Sequence, residues 1–383
     1  MALNLVLVGN KIQKYREQLK LTIQELSAAT GIPTDNLKRY EIGKQEPTGD
    51  EILILSDFFR CDYKFFISNE KLAPFEETEQ LYRRFGSEFS KRDRRNIQDF
   101  LFLCENEEFL VKELGLDKSR QSFLFQKSGD FFKAHGENAA ERFRTHIGYR
   151  PNEVGMNIYS DIRSIGVHVF RRRLGNSNIS GLYIRHPTAG KCVLINYSED
   201  IYRQRFSAGH ELAHTILDDE EDFIVSFNKW NKEDLVEIRA NTFSSRYLMP
   251  PDFLRQIPMQ SPWNEEKVIE WAGRLKVSAS AFVYALMEVG VLNSSQMNQL
   301  RNVKVPHSQK IDPELPDSLS SNSKVRKKQL LELGLSDHYV DLCFEAYSKD
   351  IISRGRLAES LLVDDSELVV IADIYGRSLS YAY

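Results

Sequence analysis

Cysteine is scarce in this sequence: four residues, Cys61, Cys104, Cys192 and Cys343, stand far apart and form no C-x-x-C pair. Such spacing supports neither a disulfide framework nor a thiolate zinc site, and buried free thiols are the simpler expectation. Long apolar runs are missing too. No segment approaches the roughly 20 apolar residues of a membrane span, and the short apolar start lacks a basic leader, which predicts a cytoplasmic protein without membrane contact. Basic charge is not in excess: 51 Lys and Arg against 55 Asp and Glu leave a net charge of -4. That excludes a protein that coats nucleic acid indiscriminately but allows one local DNA-reading module inside a larger chain. A hydrophobic fraction of 42% and a charged fraction of 28% exclude disordered and fibrous classes. No internal repeat of fixed period is present.

The 383 residues exceed one comfortable core, so two or three units are expected. Residues 8–66 are helical in pattern, with polar breaks at Lys20-Leu21, Gly31-Ile32-Pro33 and 43–48. Residues 70 to about 150 are also helix-like. Their basic clusters, Tyr82-Arg83-Arg84 and 91–95, read as solvated helix faces. Near residue 165 the period changes to short β-branched and aromatic runs at 166–170, 181–185 and 192–197, which predict a small sheet. Helical patterning returns at 200–217, 233–248 and 265–290. Three prolines and a serine-rich run mark 301–323 as a linker, followed by a last helical module over 324–383.

The sharpest chemical signal is His210-Glu211-Leu212-Ala213-His214, an H-E-x-x-H pattern in an apolar-periodic segment after the last predicted strand. Residues i and i+4 of an α-helix are about 40° apart around its axis, so both imidazoles face one point and can take a zinc ion. The downstream segment Glu237-Ile238-Arg239-Ala240-Asn241 offers a carboxylate on a second helix, completing a His, His, Glu set. The open position would hold water, and Glu211, beside the first ligand, would take its proton as general base. The chemistry this predicts is hydrolysis of a carbonyl compound, a peptide bond above all. His135, His146, His168, His186, His307 and His338 have no partner at metal spacing and read as surface or packed histidines. Arg171-Arg172-Arg173 reads as a solvated strand end.

The stretch Arg203-Gln204-Arg205-Phe206-Ser207-Ala208-Gly209-His210-Glu211-Leu212-Ala213-His214, with Glu237-x-x-Ala240-Asn241-x-Phe243 and Tyr247-Leu248-Met249-Pro250, resembles the ImmA/IrrE metallopeptidase family over about residues 150–295. The resemblance implies His210, His214 and Glu237 as zinc ligands, Glu211 as catalytic base, and helix-turn-helix repressors as substrates cleaved during stress or in mobile elements. Two mild departures are Gly209, where Ala is common, and Tyr247, where Leu is common.

A second constellation lies in residues 9–60. Thr22-x-x-Glu25 forms a capping box that starts a short helix, Gly31 can close it, and Ile32-Pro33-Thr34 begins the next after a tight turn. That third helix presents Thr34, Asp35, Asn36, Lys38 and Arg39 on its polar side, with Leu37 and Tyr40 inward and Lys44 in the following loop. These polar residues are the candidates for base edges and phosphate. The pattern 28–48 resembles the lambda-repressor-like, XRE-type domain, which implies a double-stranded DNA operator. Residues 9–50 hold seven Lys or Arg and six Asp or Glu, so the local charge is close to balanced.

The expected architecture is multidomain: an all-α helix-turn-helix domain over 1–69, a helical connector over 70–149, an α+β zincin-like metallopeptidase domain over 150–300, the linker and the helical C-terminal module. The predicted cofactor is Zn²⁺ and the predicted partners are operator DNA and a protein substrate, with a homodimer allowed. Two other readings stand beside this: a transcription factor whose zinc is structural or sensory, and an N-terminal domain that captures a protein instead of DNA.

Overall fold

The computed structural model describes residues 3–68, 76–129, 132–228, 234–258, 262–316 and 318–379. They divide into two compact units, one running to Glu105 with short returns at Leu174–Asn176 and His186–Thr188, the other holding the rest. Among the described residues no helix is long and apolar enough to cross a membrane. The cysteines are free thiols, three of them buried.

The first unit contains helices α1 (Leu5–Gln18), α2 (Ile23–Thr30), α3 (Thr34–Glu41), α4 (Gly49–Phe59), α5 (Tyr63–Ile67), α6 (Glu76–Phe85) and the first part of α7 (Lys91–Glu113). The predicted capping box is formed: the Thr22 hydroxyl accepts from Glu25 N–H at 3.1 Å while Glu25 accepts from Thr22 N–H at 2.7 Å. Gly31, at φ +73°, closes α2. Thr48 and Glu51 repeat the device at the start of α4. Leu26, Leu37, Leu55, Phe59 and Phe66 are fully buried between these helices. The Arg16 guanidinium donates to both oxygens of Glu41, at 2.7 and 2.9 Å, which fixes α1 against α3 in a bidentate ion pair.

The second unit holds α8 (Phe132–His146), α9 (Ile158–Ser164), β1 (His168–Arg172), β2 (Ile179–His186), β3 (Gly190–Asn196), α10 (Ile201–Leu217), β4 (Phe223–Phe227) and α11 (Leu235–Leu248). It continues through α12 (Pro251–Arg255), α13 (Glu265–Leu275), α14 (Ala279–Glu288), α15 (Ser294–Leu300), α16 (Ser321–Glu332), α17 (Asp337–Ser348), α18 (Arg354–Ser360) and α19 (Asp365–Ile374). The four strands lie in the order β1-β3-β2-β4, with β1 parallel to β3 and β2 antiparallel to β4. This mixed sheet carries α10 against it, and α11 packs on both α8 and α10. The apolar core under it runs from Phe143 and Ile158 through Val193, Leu212 and Phe243 to Phe282. The predicted runs became β1, β2 and β3, while β4 was not predicted.

Two expectations are overturned in part. In the 91–95 cluster, read as a solvated helix face, Lys91 and Arg92 are exposed but Arg94 is buried and donates to the Gln18 and Gly86 carbonyls. Of Arg171-Arg172-Arg173, read as a solvated strand end, only Arg173 is exposed, while Arg171 and Arg172 are 7% and 1% exposed. The Arg171 guanidinium donates to Asp312, at 3.1 Å, and to Glu314, and Arg172 donates to the Leu333 carbonyl. Acidic residues remote in sequence neutralise a buried charge that would otherwise be costly.

His168, 1% exposed, places Nδ1 2.6 Å from Glu107 and Nε2 3.1 Å from Glu108. Burial opposes its positive form, yet hydrogen bonds to the two carboxylates outweigh burial and push its pKa up to about 9. An unfolded histidine titrates near about 6.5. The stability tied to this charge is therefore complete below about pH 6.5 and is lost as pH rises through about 9. Between those values the melting temperature of the wild type should fall, and His168→Gln should flatten the fall. Parallel melting curves in the two proteins would contradict the assignment.

Candidate metal centre

Helix α10 is 17 residues long and nearly all of its second half is buried, so His210 and His214 project into the protein and not into solvent. Asp234 caps α11 by accepting from Val236 and Glu237 N–H, which places Glu237 in the first turn of that helix. The two helices meet closely at Gly209. A Cβ there would lie 2.5 Å from Ser244 Oγ, 3.1 Å from its Cβ and 3.3 Å from its Cα. Alanine would push α11 outward or turn the Ser244 hydroxyl from its 2.8 Å bond to the Phe206 carbonyl. The mild departure at Gly209 thus has a packing reason.

This approach brings the three predicted ligands together. His210 Nε2 and His214 Nε2 are 3.0 Å apart, and the Glu237 carboxylate lies 3.3 Å from the first and 3.6 Å from the second. Donors about 2.0–2.1 Å from a tetrahedral zinc ion are themselves about 3.3 Å apart, and the three separations bracket that value. Among the described residues these three form the one group with metal-ligand geometry.

The far side of each ring is also held. His210 Nδ1 faces Asn241 Oδ1 at 3.1 Å, and His214 Nδ1 faces Asp218 Oδ2 at 2.8 Å. With oxygen acceptors on Nδ1, the ring proton belongs there and the Nε2 lone pairs point into the shared space. Asp218 is in turn bound by the buried Arg239 guanidinium. Burial opposes charge on His214, but the hydrogen bonds to Asp218 and Glu237 and the nearby Glu211 carboxylate raise its pKa to about 10. The same imidazoles pull Glu237 well below the usual carboxylate range against its burial. A pocket that favours positive charge this strongly favours a divalent cation, which competes with the proton for the same nitrogen.

Glu211 differs from these neighbours. It is fully buried, neither carboxylate oxygen has a partner at hydrogen-bond geometry, and burial raises its pKa despite the adjacent histidines and the Ser226 hydroxyl that faces it. The space it fills exists because residue 181 is glycine. A Cβ on Gly181 would sit 2.6 Å from Glu211 Oε1 and 2.9 Å from its Cγ. A β-bulge between Ile179 and Gly181 sets this register against β4, where Gly181 pairs with Ser226. Buried polar atoms without partners are rare and mark places where another group belongs. The donor set, its spacing and this orphaned carboxylate fit a zinc ion.

The sequence named the candidate ligands and the candidate base but gave no role to Asp218, Arg239 or Gly181. Asp218 follows His214 by one helical turn, so an i, i+4 signal was present. The bulge that brings Gly181 to Glu211 had no local signature.

The predicted DNA-reading residues lie in the first unit. Asp35, Lys38 and Arg39 are exposed on α3, Thr34 and Asn36 are half-buried, and Lys44 is exposed in the loop after it. Lys38 Nζ lies 3.5 Å from Asp35, a loose pair on the same face. Leu37 and Tyr40 point inward as expected.

Two segments of the chain match known protein families. Residues 162–287 match the family described as the IrrE N-terminal-like domain, and residues 12–66 match the helix-turn-helix family. A curated relative, the radiation response metalloprotease IrrE of Deinococcus radiodurans, is 30% identical over 100 residues, which is 25% of this chain and 30% of that protein. The chain thus matches less than a third of the length of that relative.

Removing the partner that orients a metal-binding histidine typically costs about 10–100-fold in metal affinity. Asp218→Asn keeps the shape but removes the charge, and should weaken zinc binding within that range in competition with a chromophoric chelator. An unchanged affinity would mean that Asp218 serves only to pair with Arg239.

Proposed function

We propose that this chain, an XRE-type helix-turn-helix joined to an IrrE/ImmA-like metallopeptidase domain, is a DNA-binding regulator whose zinc-dependent peptidase cuts a regulatory protein. The observation that carries the reading is the buried, unpartnered Glu211 beside three donors at zinc spacing. His210, His214 and Glu237 hold the metal, Asn241 and Asp218 orient the two rings, and Arg239 fixes Asp218. Zinc bound there supplies a Lewis acid that polarises a carbonyl and acidifies water. Glu211, whose carboxyl burial pushes above the usual carboxylate range, takes a proton from the attacking water and returns it to the leaving amine. β4 is the edge strand of the sheet on the side of Gly181 and Glu211, a position from which an extended peptide can be bound through its backbone.

The substrate class we favour is a helix-turn-helix repressor, cut under stress or in a mobile element, with cleavage of this chain itself as a variant. The name of the Deinococcus relative, a metalloprotease of the radiation response, supports DNA damage as the condition to test first. We assign operator binding to Thr34, Asp35, Asn36, Lys38, Arg39 and Lys44, because the exposed and half-buried polar residues on the third helix and its following loop are where such domains meet the major groove.

Two measurements test the two halves. New protein N-termini should appear by mass spectrometry in cells expressing the wild type and be lost with Glu211→Gln, whose zinc content stays near one ion per chain. Absence of any Glu211-dependent cut, with zinc and DNA binding intact, would favour a regulator whose zinc is structural or sensory. Replacing Lys38 and Arg39 together by Ala should weaken binding to an operator fragment by about tenfold or more and reduce its salt dependence. Equal binding would point to a protein-capturing domain instead.

A further inference from the structure

The second unit contains a cavity of about 440 Å³ away from the metal centre, within the range of about 300–1,000 Å³ that small-molecule sites occupy. Its walls come from α9 and β1, the start of α10, the end of α13, residues 311–314 and the start of α17. Charges in these walls are mostly matched. Arg171 is paired with Asp312 and Glu314, Asp337 with Lys327, and Glu107 serves both Arg163 and His338.

Three donors remain. Arg205 is only 5% exposed and gives Nη1 to the Leu275 carbonyl and Nη2 to the Gly155 carbonyl, both at 3.2 Å, while its Nε has no partner. Among the described residues no carboxylate stands within ion-pair distance of it. The nearby Asp161 is occupied by the hydroxyls of Tyr149, at 2.9 Å, and Tyr247. Lys276 likewise has no ion-pair partner among the described residues. It holds a left-handed backbone at φ +52°, where glycine would be unstrained. Burial first, and then repulsion from Arg205, lowers its pKa. The Tyr159 hydroxyl is buried without a partner. At the mouth, Met156 and Ile311 are 46% and 58% exposed, among the more open apolar side chains of the unit.

Unmatched cations and an idle hydroxyl below an apolar rim define an acceptor with a matching form. We infer that this cavity binds a small organic acid, whose anionic head meets Lys276 Nζ, with the Arg205 guanidinium and the Tyr159 hydroxyl turning from the wall to reach it, and whose apolar or aromatic body lies against Met156 and Ile311. Arg205 stands on α10, five residues before His210, so such a ligand bears on the helix that carries two of the candidate metal ligands. Binding would also join that helix to residues 311–314 and to α17.

The site does not depend on peptidase activity, because its readout is binding. The test is calorimetric titration of the full-length protein with 2-naphthoate, and with inorganic phosphate as a head group lacking a body. Lys276→Gly removes the cation and suits the backbone, and Tyr159→Phe removes one hydroxyl and keeps the ring. One naphthoate per chain is expected, about tenfold weaker in Lys276→Gly and about threefold weaker in Tyr159→Phe, with phosphate weaker than naphthoate. No naphthoate binding to the wild type, or equal binding in all three folded proteins, overturns the site. Phosphate binding without naphthoate binding overturns the apolar half of the ligand class.

Discussion

The arrangement depends on how closely α10 and α11 approach each other. Two histidines on one helix can face a common point by periodicity alone, but the third donor must be delivered by a separate helix to within a few tenths of an ångström. Gly209 permits this, because its missing side chain leaves room for Ser244, and the Ser244 hydroxyl then bonds the Phe206 carbonyl of α10. The capping of α11 by Asp234 finishes the placement by fixing where Glu237 begins its turn. The sheet acts from the other side: the β-bulge at Gly181 opens the space that Glu211 fills.

Charge in the second unit follows one rule with few exceptions. Buried ionic groups are matched, even across long sequence separations, as with Arg171 and residues 312–314, His168 and Glu107, or Arg239 and Asp218. This is what desolvation demands, since an unmatched buried charge costs several kcal/mol. Three of the buried polar groups without a hydrogen-bond partner bear on the two sites described above: Glu211 beside the metal donors, and Arg205 Nε and the Tyr159 hydroxyl at the second cavity.

Much of this was legible in the sequence because it rests on short-range periodicity. The capping box at Thr22 and Glu25, the left-handed Gly31, the i, i+4 histidines and the alternation of helix and strand are local signals, and the helix-turn-helix and the α+β domain followed from them. What escaped was set by contacts between distant segments. β4 is a short strand without strict alternation, and only its pairing with β2 defines it. Arg171 and Arg172 looked like a solvated strand end because the partners that allow their burial, Asp312 and Glu314 for the first and the Leu333 carbonyl for the second, lie about 140–160 residues later. The role of Asp218 lay one helical turn beyond His214, and became clear only with Arg239 folded onto it.

The central claim is that His210, His214 and Glu237 together hold zinc and leave a position open beside Glu211. X-ray absorption at the zinc edge of the loaded full-length protein tests it most directly. The account predicts a four-coordinate ion with two imidazole nitrogens and oxygen donors at about 2.0–2.1 Å, with one oxygen lost or replaced in Glu237→Ala. Sulfur in the first shell, or a single imidazole, would contradict it.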